Sequence, residues 1–331
     1  MPEAQIAEND VGELEFAVCV PAYNAERMLP ATLESILAQT VSAFELVVVD
    51  DGSLDRTAEI AKSYAARDPR VRLIQQKNRG SSAARNTAVA NSTAPLLSFI
   101  DSDDLWMPGY LEAARRAFAA DPATGFVHAD ARSFRDSDLY VFHKTQLEEY
   151  AKVVVEGRPD RVLPKLLRVN FITSSSVSAR REAVREAGGW HPIARAQDWD
   201  MWLRILSAGY SLARAGETPL VLLRDHPTSQ SKDPVRMAKG VLTVTRHAAE
   251  RAGSRPERVA THAAVRRAEA GLRRVEHPSP AARIIGSGRR LLRRIKRDSW
   301  GERGWQPPSE AALAVLSGAG AVGTRPDRHD T

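Results

Sequence analysis

"LLSFIDSDDLWMP" occupies Leu96 to Pro108. Apolar Leu96, Leu97, Phe99 and Ile100 break off into Asp101, Asp103 and Asp104, three carboxylates at the end of a segment that reads as a buried strand. Like charges crowded in this way repel unless a cation or hydrogen-bond donors intervene. Working outward, three more apolar segments, Phe16 to Val20, Leu46 to Val49 and Val71 to Ile74, alternate with helical patterns. Leu29, Leu33, Ile36 and Leu37 recur at helical spacing around Pro30, which suits a helix start. Asp55 to Arg67 carries Ala58, Ala61 and Ala65 on one face, and a third helix begins near Ser82. The alternation predicts an α/β fold with a mostly parallel sheet flanked by helices, in which ligands gather at the carboxyl ends of the strands.

Asp50 and Asp51 follow "LVVV" much as Asp101 and Asp103 follow "LLSFI". Taken alone, each cluster has two explanations. One is a turn or cap built from Asp, Gly and Ser, with "DDGS" as an Asx-turn into the 55–67 helix; the other is a ligand site. Two clusters at equivalent strand ends on one rim favour the ligand site. Hard oxygens alternating at Asp101 and Asp103 suit Mg²⁺ or Mn²⁺, which retains waters and bridges to substrate phosphates. The expected partner of these charges is therefore a divalent cation that brings a diphosphate with it.

Further along, Gly125 to Ala129 reads as a strand, Asp130 to Asp160 as a polar stretch of weak periodicity, and Phe171 to Ala179 as rich in Ser and Thr. Arg181 to Ala187 forms a short helix ended by Gly188 and Gly189. Trp199, Trp202, Leu203 and Leu206 stand at i, i+3, i+4 and i+7, one more amphipathic helix. A chain of 331 residues holds one large α/β domain plus an appendage, or two domains. Cys19, the only cysteine, excludes disulfides and cysteine-built metal sites and fits a reducing compartment. With no apolar run near the ~18 residues that span a bilayer, a cytoplasmic protein is expected, at most peripheral to a membrane.

Five motifs, "VPAYNAERML" (20–29), "VVVDDGSLDRT" (47–57), "NRGSSAARN" (78–86), "FIDSDD" (99–104) and "AQDWDMWLRI" (196–205), resemble in order and spacing the family 2 glycosyltransferases. These are nucleotide-sugar-dependent enzymes of the GT-A fold. The similarity covers Phe16 to Ser231 and is specific through the combination rather than any single motif. A pyrophosphorylase-type fold would need a Gly-rich phosphate loop where this chain has Pro21, Ala22 and Tyr23. The resemblance implies that those three residues line the base of a nucleotide-diphosphate sugar and that Asp51 accepts from a uracil or thymine N3–H, favouring UDP or dTDP donors. Asp50 is implied as a neighbouring contact, and Arg85 as a residue facing the nucleotide or its phosphates, with an exposed surface arginine as the plain alternative. In the triplet Asp101-Ser102-Asp103, which matches the DxD motif, Asp103 would ligate the metal. Asp101 would contact ribose or a metal-bound water, with Ser102 beside it in the donor site.

Asp198 matches the second acidic residue of the family's Glu-Asp motif, which implies a general base for a hydroxyl acceptor and a single displacement with inversion. Spacing alone would make it an N-cap. Asp200 lies about 200° further round the helix and is expected to be structural. Trp202 lies either beneath the acceptor or in the core. Gln197 stands where the family usually has Glu, which removes a negative charge beside the base and should lower its proton affinity slightly. It is also the one feature favouring a noncatalytic nucleotide-sugar-binding or scaffold protein of the same fold. Arg224, His226, Ser229 and Ser231 resemble the loop that closes such sites. For His226, a metal or diphosphate contact and an ordinary loop histidine both stand open.

The net charge of +6 conceals an asymmetry. Val235 to Arg297 holds 17 Lys or Arg against 4 Asp or Glu, so this segment carries +13 and the remainder −7. A nucleic-acid reading of the whole chain is thereby excluded. "ARIIGSGRRLLRRIKR" (282–297) sets Ile284, Ile285, Leu291, Leu292 and Ile295 among seven Arg or Lys. One explanation is a basic amphipathic helix on an anionic membrane surface, which would bring the enzyme to a lipid-linked acceptor. The other is a solvated helix packed on the catalytic domain. Nucleic acid is not an expected partner, since no aromatic residues are interleaved for stacking. The expected division is a flexible N-terminus (1–14), a GT-A domain (15–232), a basic helical extension (233–299) and a disordered tail (300–331), serving polysaccharide or glycoconjugate biosynthesis.

Overall fold

The computed structural model describes residues 14–135, 140–150, 155–226 and 232–278. Strands β1 (Phe16–Ala22) and β2 (Phe44–Asp50) are buried along their whole lengths. Strands covered on both faces by helices need such continuous apolar runs. Successive side chains alternate between the faces: Phe16, Val18 and Val20 enter one core with Leu46 and Val48, while Ala17 and Cys19 enter the other with Val47 and Val49. Burial pushes the Cys19 thiol up to about 12, making it an inert core residue.

Helix α1 (Leu29–Leu37) carries Pro30 in its first turn, as the sequence predicts. The alternation continues through α2 (Thr57–Ala65), β3 (Val71–Gln75), α3 (Ser81–Ala90) and β4 (Leu96–Phe99). β1 pairs in parallel with both β2 and β4, with Phe16 opposite Phe44 and Leu96. Because the three strands run the same way, Ala22, Asp50 and the aspartates after Phe99 emerge on one rim.

Next come β5 (Leu105–Trp106), α4 (Tyr110–Ala120) and β6 (Thr124–Ala129). The stretch expected to be polar and weakly periodic holds β7 (Ala131–Arg135), β8 (Tyr140–Thr145), α5 (Gln146–Glu149) and the start of α6 (Pro159–Leu166). β7 buries only Ala131 and Phe134, three positions apart, so it leaves no period-two signal. β9 (Val177–Arg180), α7 (Arg181–Glu186), α8 (Gln197–Ser207), β10 (Ser211–Ala215) and β11 (Val221–Arg224) follow. Gly188 and Gly189, at φ 81° and 72°, close α7 as expected.

Among the described residues, the main sheet has the order β10-β6-β9-β4-β1-β2-β3. β9 alone runs antiparallel to its neighbours, so the sheet is mostly parallel. A second sheet, β5-β11-β7-β8, brings the end of β11 beside the aspartate cluster. Helices α9 (Pro234–Arg251) and α10 (Arg255–Glu276) form a hairpin whose Val244, Ala248 and Ala264 join the core that holds Trp202 and Leu206. The segment 282–297, the tail from 300, and Ser229 and Ser231 lie outside the described residues. No helix among the described residues is long and apolar enough to cross a membrane.

Candidate active site

Past β1 the chain turns through Asn24, whose φ of 49° is left-handed, a conformation that Asn tolerates better than most residues. Asn24 N–H donates to Ser53 Oγ (2.9 Å), and Leu54 N–H donates to Asn24 Oδ1 (2.9 Å), which stitches the ends of β1 and β2 together. Pro21 and Ala22 are buried, whereas Tyr23 is 49 % exposed and free to stack. Asp50 accepts from Ser53 N–H (3.1 Å), the Asx-turn that the plain structural explanation gives it. Asp51 does something different. Its buried carboxylate accepts from Arg79 N–H (2.9 Å), Gly80 N–H (2.8 Å) and Gln76 Nε2 (2.7 Å), anchoring the loop that leads into α3.

The three carboxylates of the opening stretch each have protein partners. Asp101 forms an ion pair with Arg85 and accepts from Ser174 Oγ (3.2 Å). Arg85 is 2 % exposed and its guanidinium stacks 4.6 Å over Trp190, so it is not a surface arginine. Ser102, partly exposed, occupies the turn between the aspartates. Asp103 lies 2.7 Å from His226 Nε2. Asp104 is buried and accepts from the Ser175 hydroxyl and from Arg224 N–H (2.9 Å). Burial, reinforced by the charges of Asp103 and Asp101, pushes its carboxyl well above the usual carboxylate range. Arg224 also donates from Nε to the Asp103 carbonyl (2.7 Å), fixing β11 to the cluster.

Carboxylate oxygens of Asp101, Asp103 and Asp104 lie within 4.8 Å of one another. Asp104 has both oxygens occupied. Asp103 and His226, both partly exposed, present a hard oxygen and an imidazole nitrogen side by side, a donor set that fits Mn²⁺ or Mg²⁺ completed by waters.

Asp198 is the second residue of α8, whose N-cap is Ala196 at φ 60°, so it does not cap the helix. A left-handed alanine is held there by its surroundings, the kind of backbone strain that gathers at functional sites. Asp198 accepts from Asn170 Nδ2 (3.1 Å). Burial raises its pKa; the Trp199 N–H, the charge of Arg85 and Asn170 oppose the rise, and the charge of Asp101 adds to it. Gln197 donates to Ser81 Oγ (3.0 Å). Helix α3 thus joins the predicted groups: the N–H preceding it binds Asp51, Ser81 meets Gln197, and Arg85 binds Asp101.

Asp200 points the other way, fully buried against Arg204 (2.7 Å) and His191 (3.0 Å), as its angular position requires. Trp202 belongs to the core, with ring centroids 5.6 Å from both Phe126 and Trp190. Sequence reasoning missed Asn170, Ser174, Ser175 and Trp190. The only signal was the Ser- and Thr-rich composition of Phe171 to Ala179, which carries no periodicity or motif.

A mostly parallel sheet with acidic turns on one rim, faced by the acid-bearing end of a helix, defines the GT-A class of nucleotide-sugar transferase fold. Residues 17–188 match the family model Glycosyl transferase family 2, and the chain belongs to that family. Glycosyltransferase GlyA of Streptococcus pneumoniae is 38 % identical over 143 residues, covering 42 % of this chain and 20 % of that protein. Chondroitin synthase of Escherichia coli is 36 % identical over 193 residues, covering 58 % of this chain and 26 % of that protein. The chain thus spans well under half the length of these relatives. Among solved structures, the mannosyltransferase PcManGT of Pyrobaculum calidifontis, in complex with GDP-Man and Mn²⁺, superposes with a TM-score of 0.58 at 22 % identity. That match covers 92 % of this chain and 86 % of the other. Residues 1–349 of S. aureus TarS, in complex with UDP-GlcNAc, give a TM-score of 0.60 at 16 % identity over 76 % of this chain and 70 % of that one. Both share the fold.

Proposed function

We propose that the protein is an inverting glycosyltransferase that moves a sugar from a nucleotide-diphosphate donor to a hydroxyl acceptor, with Asp198 as general base. The observation that carries this reading is the set of contacts made by helix α3 and the residue before it: Gly80 N–H binds Asp51, Ser81 meets Gln197 beside Asp198, and Arg85 pairs with Asp101. One helix thereby joins the donor-side carboxylates to the segment that carries Asp198.

In this reading Tyr23 stacks on the base above Pro21 and Ala22. Asp51 fills about three of the roughly four acceptor sites of its carboxylate with protein donors, leaving one for an N3–H, which supports a UDP or dTDP donor. Asp101 and Ser102 face the ribose, Asp50 shapes the turn beside it, and Asp103 with His226 would hold the divalent cation. When bound, Mn²⁺ or Mg²⁺ supplies positive charge to the departing diphosphate. Asp198 accepts the acceptor proton as the new C1–O bond forms and the C1–O bond to the diphosphate breaks on the opposite face. Asn170 aims the carboxylate, and its raised pKa makes it a stronger base than an exposed aspartate.

The GT-A unit comprises 15–232, with the α9–α10 hairpin as its buttress. The basic segment 282–297 supports a lipid-linked acceptor at the inner face of an anionic membrane, which sedimentation with anionic vesicles tests. Activity is tested by screening UDP-, dTDP- and GDP-sugars with Mn²⁺ or Mg²⁺ for transfer and hydrolysis. Asp198→Asn is expected to lose about 10²–10⁴-fold in rate while donor binding persists. Wild-type turnover in that variant overturns the assignment; donor binding by the wild type without any turnover favours a noncatalytic binding protein.

A further inference from the structure

His191, on the segment between α7 and α8, Asp200 on α8 and His247 on α9 converge from three separate stretches of chain. A nitrogen of each imidazole and an oxygen of the carboxylate all lie within 4.8 Å of one another. His191 Nδ1 stands 3.0 Å from Asp200 Oδ2, and His247 Nδ1 stands 3.9 Å from Oδ1. Nitrogen and oxygen ligands held at roughly 2.0–2.1 Å on tetrahedral corners are about 3.3 Å apart. The two separations bracket the spacing that one Zn²⁺ needs. Asp200 is fully buried, whereas both imidazoles are partly exposed and line a cavity of about 570 Å³. Two nitrogens and an oxygen with one open side suit a Zn²⁺ held by three protein ligands, its fourth position left to water or an anion.

Neutralisation does not account for the two histidines. Arg204 Nε lies 2.7 Å from Asp200 Oδ2 and Arg251 Nη2 lies 3.4 Å from Oδ1, so one carboxylate already faces two guanidinium groups. Burial, then the charge of Arg204, lowers the His191 pKa against the opposing charge of Asp200, which keeps its imidazole neutral and able to coordinate. The two arginines differ in what they allow. Arg204, 5 % exposed, stays with Asp200 on α8 and supplies the hydrogen bond that a ligating carboxylate ordinarily accepts. Arg251, at the end of α9, is 33 % exposed and has room to turn into solvent, which frees Oδ1 for the ion. A hydroxide or other anion entering from the cavity as fourth ligand offsets the added charge.

We propose that His191, Asp200 and His247 form a Zn²⁺ site that staples α9 to α8. Asp200 points away from Asp198, so the site takes no part in the transfer step and its test needs no turnover. Zn²⁺ is titrated by calorimetry into the full chain, for wild type, His191→Gln, His247→Gln, Arg251→Gln and Asp103→Asn. Both histidine side chains are 37 % exposed, so the Gln variants should fold, and metal-free thermal melts check it. Each His variant should lose more than about 100-fold in affinity, beyond what an outer partner of a ligand costs. Asp103→Asn, which disables the ligands on the rim, should keep one equivalent. Arg251→Gln removes the competitor for Oδ1 and should bind Zn²⁺ more tightly than wild type. Zn²⁺ at about a hundredfold excess over Kd should raise the wild-type melting temperature by about 5 °C, and Co²⁺ in its place should show the intense visible absorption of four-coordinate geometry. Zn²⁺ affinity equal in wild type and both His variants, or lost only in Asp103→Asn, overturns the site, as does a wild type that binds no Zn²⁺. Binding no tighter in Arg251→Gln overturns the assignment of Oδ1 as ligand.

Discussion

Gly240→Ala tests whether α9 controls the placement of Asp198. In isolation, replacing a helix-interior Gly by Ala favours the helix by about 1 kcal/mol. Here the new Cβ would meet Arg195 O at 2.5 Å, Arg195 Cβ at 2.8 Å and Arg195 C at 2.9 Å, whereas ordinary contact begins at 3.4 Å. Either α9 or the loop must therefore yield by about 0.9 Å to reach ordinary packing. The loop passes from Arg195 through left-handed Ala196 directly into Asp198, so little chain is available to absorb the shift. A misplacement of about 1 Å costs on the order of 100-fold in rate. We expect kcat to fall about 10-fold if half the displacement is absorbed and about 100-fold if it is all transmitted. Overpacking costs roughly 1–3 kcal/mol against the helix gain, so the melting temperature should change little or fall modestly. Donor affinity should hold, because Asp51, Asp101 and Asp103 sit on other elements. The assay is kcat at saturating donor and acceptor, beside donor titration and a thermal melt. Wild-type kcat with an unchanged melt would refute the coupling of α9 to the base.

Gly52→Ala should lower stability by about 2–4 kcal/mol and weaken donor binding, combining the left-handed penalty with loss of charge-assisted bonds to Asp51. Gly52 has φ 76°, and its Cβ would lie 2.9 Å from Asn78 N, in the loop that Asp51 holds; an unchanged denaturant midpoint contradicts this. His128 is 1 % exposed with neither ring nitrogen hydrogen-bonded, and burial, then Arg214, pushes its pKa down to about 4. Its folded form is neutral, so its contribution is complete above the unfolded pKa near 6.5 and is lost as pH falls toward 4. The window is worth about 3 kcal/mol, and unfolding curves across it should show a slope that His128→Phe removes. In its proposed role as base Asp198 must be ionised, and its raised pKa should move the acid limb of kcat to higher pH than an exposed aspartate would give. Arg85→Met, removing a charge that opposes the rise, should shift that limb to still higher pH; an unmoved limb counts against any action of Arg85 on Asp198.

The alternation of strand and helix through Leu96 to Phe99 was legible in the sequence because continuous apolar runs and period-3.6 faces are local properties of the chain. The same holds for Asp50, Asp51, Asp101 and Asp103, which follow directly from where those runs stop. β7, β8, β10 and β11 were not legible. They are short; β7, β10 and β11 are partly exposed, and for β7 the burial reflects contacts with distant segments rather than a local pattern. The partners inside each motif were not legible. Helix spacing already set Asp198 and Asp200 on different faces; packing supplied their partners, Asn170 for one and Arg204 for the other. Likewise, the three carboxylates of "IDSDD" look equivalent until Arg85, His226 and the Ser175 hydroxyl arrive from positions 16, 123 and 71 residues away. Local chemistry determined which residues could carry charge to the rim, and only long-range packing decided which partner each charge met, because electrostatic environment depends on distance in space rather than separation along the chain.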